Sequence, residues 1–395
     1  MAGPRGNLVV GQSGGPTAVV NASLVAVIQE ALRHEAIGEI YGMRFGALGL
    51  LRENLVDLRR VSRETLEDLR RTPSAALGTS RVDLGDDDVE RIMRTLQARE
   101  IRYFLYIGGN GSAATALRLH RLAADLRYDL HAIAIPKTID NDLVETDHCP
   151  GHPSVARWLG VSVREAGLDT EAIGTADPVK VVETMGRHTG WVAASTALAR
   201  QREGEAPHLI YLPERPFATQ QFLADVERVH RERGHVLIAA AEGLVDARGQ
   251  FLAASQRSVE ADPLGRPQFG GVGAVLCDLV MTHLKLKARF DKPGTMQRVS
   301  SLLVSSVDAE EAYRVGQGAV REAVAGGGGT MITLVRDPGP AYRSTTGTVP
   351  LDRVVGNVRR VPEAFIAPSG HDVTSAYLDY IRPLVGPLPN YARLH

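Results

Sequence analysis

The chain reads as an α/β protein with two lobes and mainly parallel sheets. Short unbroken apolar runs, such as His131-Ala132-Ile133-Ala134-Ile135, suit strands covered on both faces. These runs alternate with segments of helical periodicity, the succession that builds parallel sheets. At 395 residues the chain also exceeds what one hydrophobic core usually supports, so two domains are expected.

Leu8-Val9-Val10 is a short strand that enters the loop Gly11-Gln12-Ser13-Gly14-Gly15-Pro16-Thr17. A helix follows from about Asn21 to His34, with Leu24, Val25, Ile28 and Leu32 on one face. Asp86, Asp87 and Asp88 start another, since acids favour the positive end of a helix dipole. Its stripe is Val89, Ile92, Met93 and Leu96. Next come a strand at Arg102–Ile107, a helix from Ser112 to about Asp125, and the strand 131–135. The second half continues with strands near 179–184, 208–212 and 236–241 and helices near 190–202 and 219–233. Residues 255–273, rich in Pro and Gly, read as a surface excursion, followed by a helix over about 274–288. Gly326–Gly329 turn into a strand over Thr330–Val335.

Composition narrows the function. The chain is 44% hydrophobic and 23% charged, as expected of a globular protein. A net charge of −1 offers no field for nucleic acid. Two cysteines, Cys149 and Cys277, suit a reducing cytosol better than a disulfide framework. No signal-peptide core follows Met1, and no apolar stretch reaches the roughly 20 residues of a membrane helix, so a cytoplasmic location is expected.

Three loops are placed to carry chemistry. Lys137-Thr138-Ile139-Asp140-Asn141-Asp142 follows a buried strand, and open α/β sheets bind ligands at strand carboxyl ends. Two acids one residue apart cost Coulomb energy unless a metal, a cation or a proton offsets it, a solvated turn being the alternative reading. Gly108-Gly109-Asn110-Gly111-Ser112 sits at a strand-to-helix junction, where glycine lets backbone N–H groups approach a phosphate. Gly11 to Thr17 has the same placement but matches no Walker A pattern. Together the loops point to a phosphorylated ligand. Phosphoryl transfer needs a base, cations around the moving group and usually Mg²⁺. Asp140 and Asp142 supply a base and a metal or substrate ligand; Lys137, Arg81 and Arg187 are candidate cations. Arg289 and Arg298, flanking Pro293-Gly294, could clamp a second phosphate. The run Asp147-His148-Cys149-Pro150-Gly151-His152 fits no common zinc spacing and reads as a structural turn, with a metal site the alternative.

The Gly-Gly-x-Gly-Ser loop, the block Thr138-Ile139-Asp140-Asn141-Asp142 and Met185-Gly186-Arg187 together resemble the phosphofructokinase superfamily, over essentially the whole chain. The 11–17 loop, Lys137 and Leu378-Asp379-Tyr380-Ile381-Arg382-Pro383-Leu384 resemble its pyrophosphate-dependent bacterial branch. That resemblance implies two Rossmann-like lobes with the active site in the cleft between them. Residues 1–150 plus about 297–340 would bind the phosphoryl donor; about 151–296 plus 341–395 would bind the sugar phosphate. It implies transfer from pyrophosphate to the 1-hydroxyl of fructose 6-phosphate, reversible and glycolytic, with Mg²⁺. Asp140 would be the base, with Thr138 and Asp142 around the transferred group and Lys137 against the far phosphate of the donor. Gly14, Arg81, Gly109, Asn110, Gly111 and Ser112 would hold the donor, and Asn110 stands at the metal position. Met185, Gly186, Arg187 and Glu242 would hold the sugar. Arg298 and Arg289 would bind its 6-phosphate, Arg289 from a neighbouring subunit of a homodimer or homotetramer with shared active sites.

Five positions depart from the family pattern. Asn110 replaces a metal-associated aspartate, and Gly111 matches ATP-using members. Lys137 replaces the glycine of ATP users and would pair with pyrophosphate. Pro178 replaces an arginine, leaving Lys180 as the nearest cation, and Thr295 replaces histidine or tyrosine. ATP-dependent transfer is therefore the alternative reading, and a non-catalytic sugar-phosphate sensor the third.

Overall fold

The computed structural model describes residues 5–80, 82–255 and 271–394. Within them the chain forms strands β1 Gly6–Gln12, β2 Ile37–Met43, β3 Leu55–Asp57, β4 Ile101–Gly108, β5 His131–Pro136, β6 Val179–Thr184, β7 Leu209–Tyr211, β8 Val236–Ala241, β9 Ala288–Asp291, β10 Thr330–Arg336 and β11 Ser344–Pro350. The chain divides into two compact units, Met1–His152 with Arg298–Val358, and Pro153–Gln297 with Arg359–His395.

The first unit holds a seven-stranded sheet in the order β11-β10-β5-β4-β1-β2-β3. Its five inner strands run parallel, and only β3 and β11 pair antiparallel, one at each edge. Alternating side chains of β1 serve opposite faces: Leu8 and Val10 join one core, Val9 the other. The first core is completed by helices Val20–Ala31 and Ser306–Val324, the second by Asp86–Ala98 and Asn110–Asp125. Helix Ser306–Val324 meets helix Val20–Ala31 closely at Gly316, where a Cβ would run into the Ser23 backbone. From β1 the chain moves to β2 on one side and later to β4 on the other. That reversal opens a crevice beyond the carboxyl ends of β1 and β4, where both glycine loops begin.

The second unit holds a four-stranded parallel sheet, β7-β8-β6-β9. Helices Thr219–Arg233 and Val272–His283 cover it with Phe222, Val226, Val229, Leu276 and Val280.

Mixed α/β architecture with mainly parallel sheets is thus what forms, but several elements differ from expectation. Residues 344–354 belong to the first unit, because β11 pairs with β10 along its whole length. The helix expected over 274–288 ends at His283; Lys285 adopts φ 57°, and Ala288–Asp291 pairs with β6 instead. The helix expected over 190–202 is one α-turn, Trp191–Ala194, then a 3₁₀ turn, Ser195–Ala199. There Ser195 Oγ donates to Trp191 O and Thr196 Oγ1 to Ala193 O, competing with the helical ladder. Helices His152–Ala172, Ser306–Val324 and Ser375–Val385 and strand β2 are additions to the expected set. Most of the excursion expected over 255–273, residues 256–270, lies outside the described residues. No helix among the described residues is long and apolar enough to cross a membrane.

Candidate active site

Three loops of the first unit leave the carboxyl ends of the adjacent strands β1, β4 and β5. Gln12, fully buried, shapes the first. Its Nε2 donates to Asn21 Oδ1 (2.8 Å) and its Oε1 accepts from the Leu77 N–H (2.9 Å). Gly14 has φ 74°, a conformation glycine adopts without a Cβ clash.

Lys137 lies beneath this loop. Its ammonium donates to Ser13 O (2.6 Å) and Gly15 O (2.7 Å), and the side chain is only 3% exposed. A trans peptide points its C=O and N–H in opposite directions. With Ser13 O turned to the lysine, the Gly14 N–H faces the other way. Arg298 also meets this loop: a Cβ on Gly15 would lie 2.8 Å from its Nη1. Arg298 thus stands on the 11–17 loop of the first unit, and Arg289 belongs to the second.

The second loop turns directly into helix Asn110–Asp125. A Cβ on Gly108 would overlap Ser112 Oγ, so only glycine permits this tight entry. A Cβ on Gly111 would meet nothing within 4 Å, which leaves open space beside the helix start.

In the third loop the Asp140 N–H donates to Thr138 Oγ1 (3.1 Å), and Asn141 is buried with φ 52°. Asn141 Oδ1 accepts the Cys149 N–H (2.9 Å), a bond that offsets the strain of this left-handed residue. Asp142 Oδ2 accepts from Asn110 Nδ2 (3.1 Å), joining the second and third loops. Asn110 Oδ1 and Asp142 Oδ1 are both buried with no hydrogen-bond partner. Two such orphaned buried oxygens are costly unless a cation or donor arrives.

In the second unit, Met185-Gly186-Arg187 follows β6 and Glu242 follows its parallel neighbour β8. The Glu242 N–H donates to Thr184 O (2.9 Å) and the Gly243 N–H to Gly186 O (3.2 Å), fastening the two turns together. Gly186 has φ 126°, and a Cβ there would press on Thr189 O. Burial raises the Glu242 carboxyl above the usual range; Lys292 and Arg187 oppose that, and Glu183 adds to it. Arg289, mostly exposed on the edge strand β9, pairs with Asp177 Oδ2 at 2.9 Å. Lys180, the cation nearest Pro178, is committed to Asp169 and Asp291.

Of the residues singled out in sequence, Lys137, Thr138, Asp140, Asp142, Gly14, Gly109, Asn110, Gly111, Ser112 and Arg298 fall in the first unit. Met185, Gly186, Arg187, Glu242 and Arg289 fall in the second, and Arg81 lies outside the described residues. The His148 run carries no metal cluster among the described residues. His148 is buried between two carboxylates, with Nδ1 donating to Asp147 Oδ2 (2.8 Å) and Nε2 to Glu311 Oε2 (2.6 Å). Those two acids outweigh its burial and push its pKa up to about 8. Glu311 and Asp308, both fully buried, escaped sequence reasoning. Ser305 as N-cap, with apolar Ala312, Val315, Ala319 and Ala323 at helical spacing, was the available signal.

Residues 7–323 match the phosphofructokinase family. The pyrophosphate–fructose 6-phosphate 1-phosphotransferase of Rhodospirillum rubrum is 39% identical over 97% of this chain and 95% of its own. The protein of the same name from Xanthomonas campestris pv. campestris is 39% identical, over 96% and 92%. The crystal structure of a pyrophosphate-dependent phosphofructokinase from Nitrosospira multiformis superposes with a TM-score of 0.88 at 36% identity, covering 98% of this chain and 94% of that one. With these residues, loops and relatives, the chain belongs to the phosphofructokinase family.

Proposed function

We propose that this protein transfers a phosphoryl group from pyrophosphate to the 1-hydroxyl of fructose 6-phosphate, giving fructose 1,6-bisphosphate. The observation that carries the reading is the convergence of three loops at the ends of β1, β4 and β5, with Asp140, Lys137 and the Asn110–Asp142 pair among them. The names of the relatives, matched over nearly their whole length, support pyrophosphate as donor.

In this reading the Gly14 N–H and the 108–112 loop receive the donor, together with Arg81. Lys137 holds the first loop in shape and lends it positive charge. Asp140 accepts the proton of the 1-hydroxyl as that oxygen attacks, and returns it in the reverse direction. Thr138 and Asp142 lie around the transferred group. Met185, Gly186, Arg187 and Glu242 hold the sugar; Arg298 and a neighbouring subunit's Arg289 take its 6-phosphate, in a homodimer or homotetramer. The donor and sugar lobes correspond to the first and second units, and the setting is cytoplasmic glycolysis.

Magnesium fits the oxygens of Asn110 and Asp142, since a hard cation that keeps most of its waters would satisfy both orphaned atoms. Bound there, it would neutralise charge on the phosphoryl oxygens.

ATP is the second donor reading, favoured by the open space at Gly111. The deciding experiment follows fructose 1,6-bisphosphate formation with Mg²⁺ and equal pyrophosphate or ATP, and its reversal with orthophosphate. Faster turnover with ATP would overturn the choice of donor; no product with either would overturn the reaction.

A further inference from the structure

The Asp140 loop is fastened to the segment Asp147–His152 by three hydrogen bonds. The Thr138 N–H donates to Pro150 O (3.2 Å), His152 Nδ1 to Ile139 O (2.9 Å), and the Cys149 N–H to Asn141 Oδ1 (2.9 Å). They grip residues 138, 139 and 141, on both sides of Asp140. The segment is itself fastened to the start of helix Ser306–Val324. The Gly151 N–H donates to Asp308 Oδ1 (2.8 Å) and His148 Nε2 to Glu311 Oε2 (2.6 Å). Asn141, His148, His152, Asp308 and Glu311 are all fully buried.

We propose that Asp308 and Glu311 are positioning residues for Asp140, acting through the segment Asp147–His152. The inference rests on Asp140 being the base of the proposed reaction. A helix surface could pack on this sheet with apolar residues alone. Burying carboxylates there is costly unless each is bonded, and apolar replacement of such groups is often neutral for stability. What the carboxylates add is direction. Each fixes one donor on the segment, and Glu311 is held in turn by Tyr342 (2.5 Å), Ser344 and Arg314 (3.3 Å). The segment has little freedom to yield. Gly151 has φ 105°, and a Cβ there would lie 3.0 Å from Thr17, the last residue of the 11–17 loop. Displacing Gly151 would therefore disturb both the acid loop and the first glycine loop. Helix, segment and loop form one hydrogen-bonded chain that ends at Asp140.

The test compares D308A and D308N in the full-length protein, by steady-state kinetics, thermal melting and hydrogen exchange of the peptide spanning 137–142. D308N keeps an acceptor oxygen for the Gly151 N–H; D308A does not. For D308A the expected result is kcat lower by about 10–100-fold with the KM for fructose 6-phosphate within about twofold, the signature of a displaced catalytic group. Exchange at 137–142 should be faster, while that of helix Ser306–Val324 is unchanged. D308N should return both readouts most of the way to wild type. E311Q, which leaves Asp308 in place, should also speed exchange at 137–142 and serves if D308A does not fold. Wild-type exchange at 137–142 in every folded variant would overturn the inference. So would a loss of kcat in D308A that simply tracks the unfolded fraction. The exchange readout needs no turnover, so an inactive wild type would count against the proposed reaction and leave this test intact.

Discussion

Asn110 Nδ2 donates to Asp142 Oδ2 across 3.1 Å, and the Oδ1 atom of each side chain is left buried without a partner. In the proposed reaction this pair would hold the magnesium ion. Changing Asn110 to Asp replaces that hydrogen bond with two facing carboxylates, which should cost about 1–3 kcal/mol without metal. Melting of N110D in EDTA should therefore fall by a few degrees, roughly 2–4 °C per kcal/mol in a domain this size. Magnesium should restore most of the loss, and a melting curve insensitive to Mg²⁺ would remove Asn110 from the site.

Asp140→Asn keeps the shape of the loop and removes the proton acceptor. We expect kcat to fall by about 10²–10⁴ with substrate affinity little changed. Near-wild-type turnover would require another base.

Lys137→Gly removes the ammonium that bridges Ser13 O and Gly15 O. Two part-buried carbonyls lose a charged donor, so kcat/KM for pyrophosphate should drop by about 2–4 kcal/mol. ATP activity should rise relative to pyrophosphate activity, because Gly111 already leaves room. An unchanged donor preference would confine Lys137 to a structural part.

His148 makes the first unit sensitive to pH. Its pKa is raised from the ordinary 6.5 to about 8, so its stabilising contribution is complete below 6.5 and lost as pH rises through 8. The shift corresponds to about 2 kcal/mol, at roughly 1.4 kcal/mol per pH unit. Asp147, through His148 and Arg336, and Glu311, through His148, Ser344 and Tyr342, are held below the carboxylate range despite burial. Their contribution is lost in acid instead, as pH falls through those lowered values. The melting temperature should be highest near pH 5–7 and decline by pH 9, and Glu311→Gln should flatten the alkaline decline. A wild-type profile flat from pH 6 to 9 would contradict the charged bridge.

Asp140→Asn and Arg289→Ala should each be inactive as pure proteins, the second mainly through weaker sugar-phosphate binding, by roughly 2–5 kcal/mol. Mixed under subunit exchange, they should regain part of the wild-type activity. With exchange verified by a tag, no recovery would refute a site shared between subunits.

Much of this fold was legible because β1, β4, β5, β6, β8 and β10 are short apolar runs buried on both faces. Strands with broken apolar runs hide better. β2 carries Gly38, Glu39 and Gly42, and β9 is Ala-Arg-Phe-Asp, so neither shows an apolar run. Helix Ser306–Val324 hides for a different reason. It packs through Ala312, Gly316, Ala319 and Ala323, small residues that lower its apolar contrast. The glycine loops and the Lys137–Asp142 block were readable as residue types. The company they keep was not. Asp308 and Glu311 are acids on a polar helix face in sequence, and only the fold buries them against Gly151 and His148.

β5 finds its parallel partner β10 almost two hundred residues downstream, after the whole continuous stretch of the second unit has intervened. A growing chain therefore holds β5 as an open edge, with the helix Val20–Ala31 still lacking the neighbour that covers it. At about 5–20 residues per second, translation from β5 to β10 leaves this apolar surface uncovered for roughly 10–40 seconds. The second unit, closed over most of its length by then, has its core ready first. The first unit begins the chain, yet its sheet closes only after the four strands of the second unit have been made, so the nascent protein's greatest exposure to chaperones and to aggregation falls on the half that starts it.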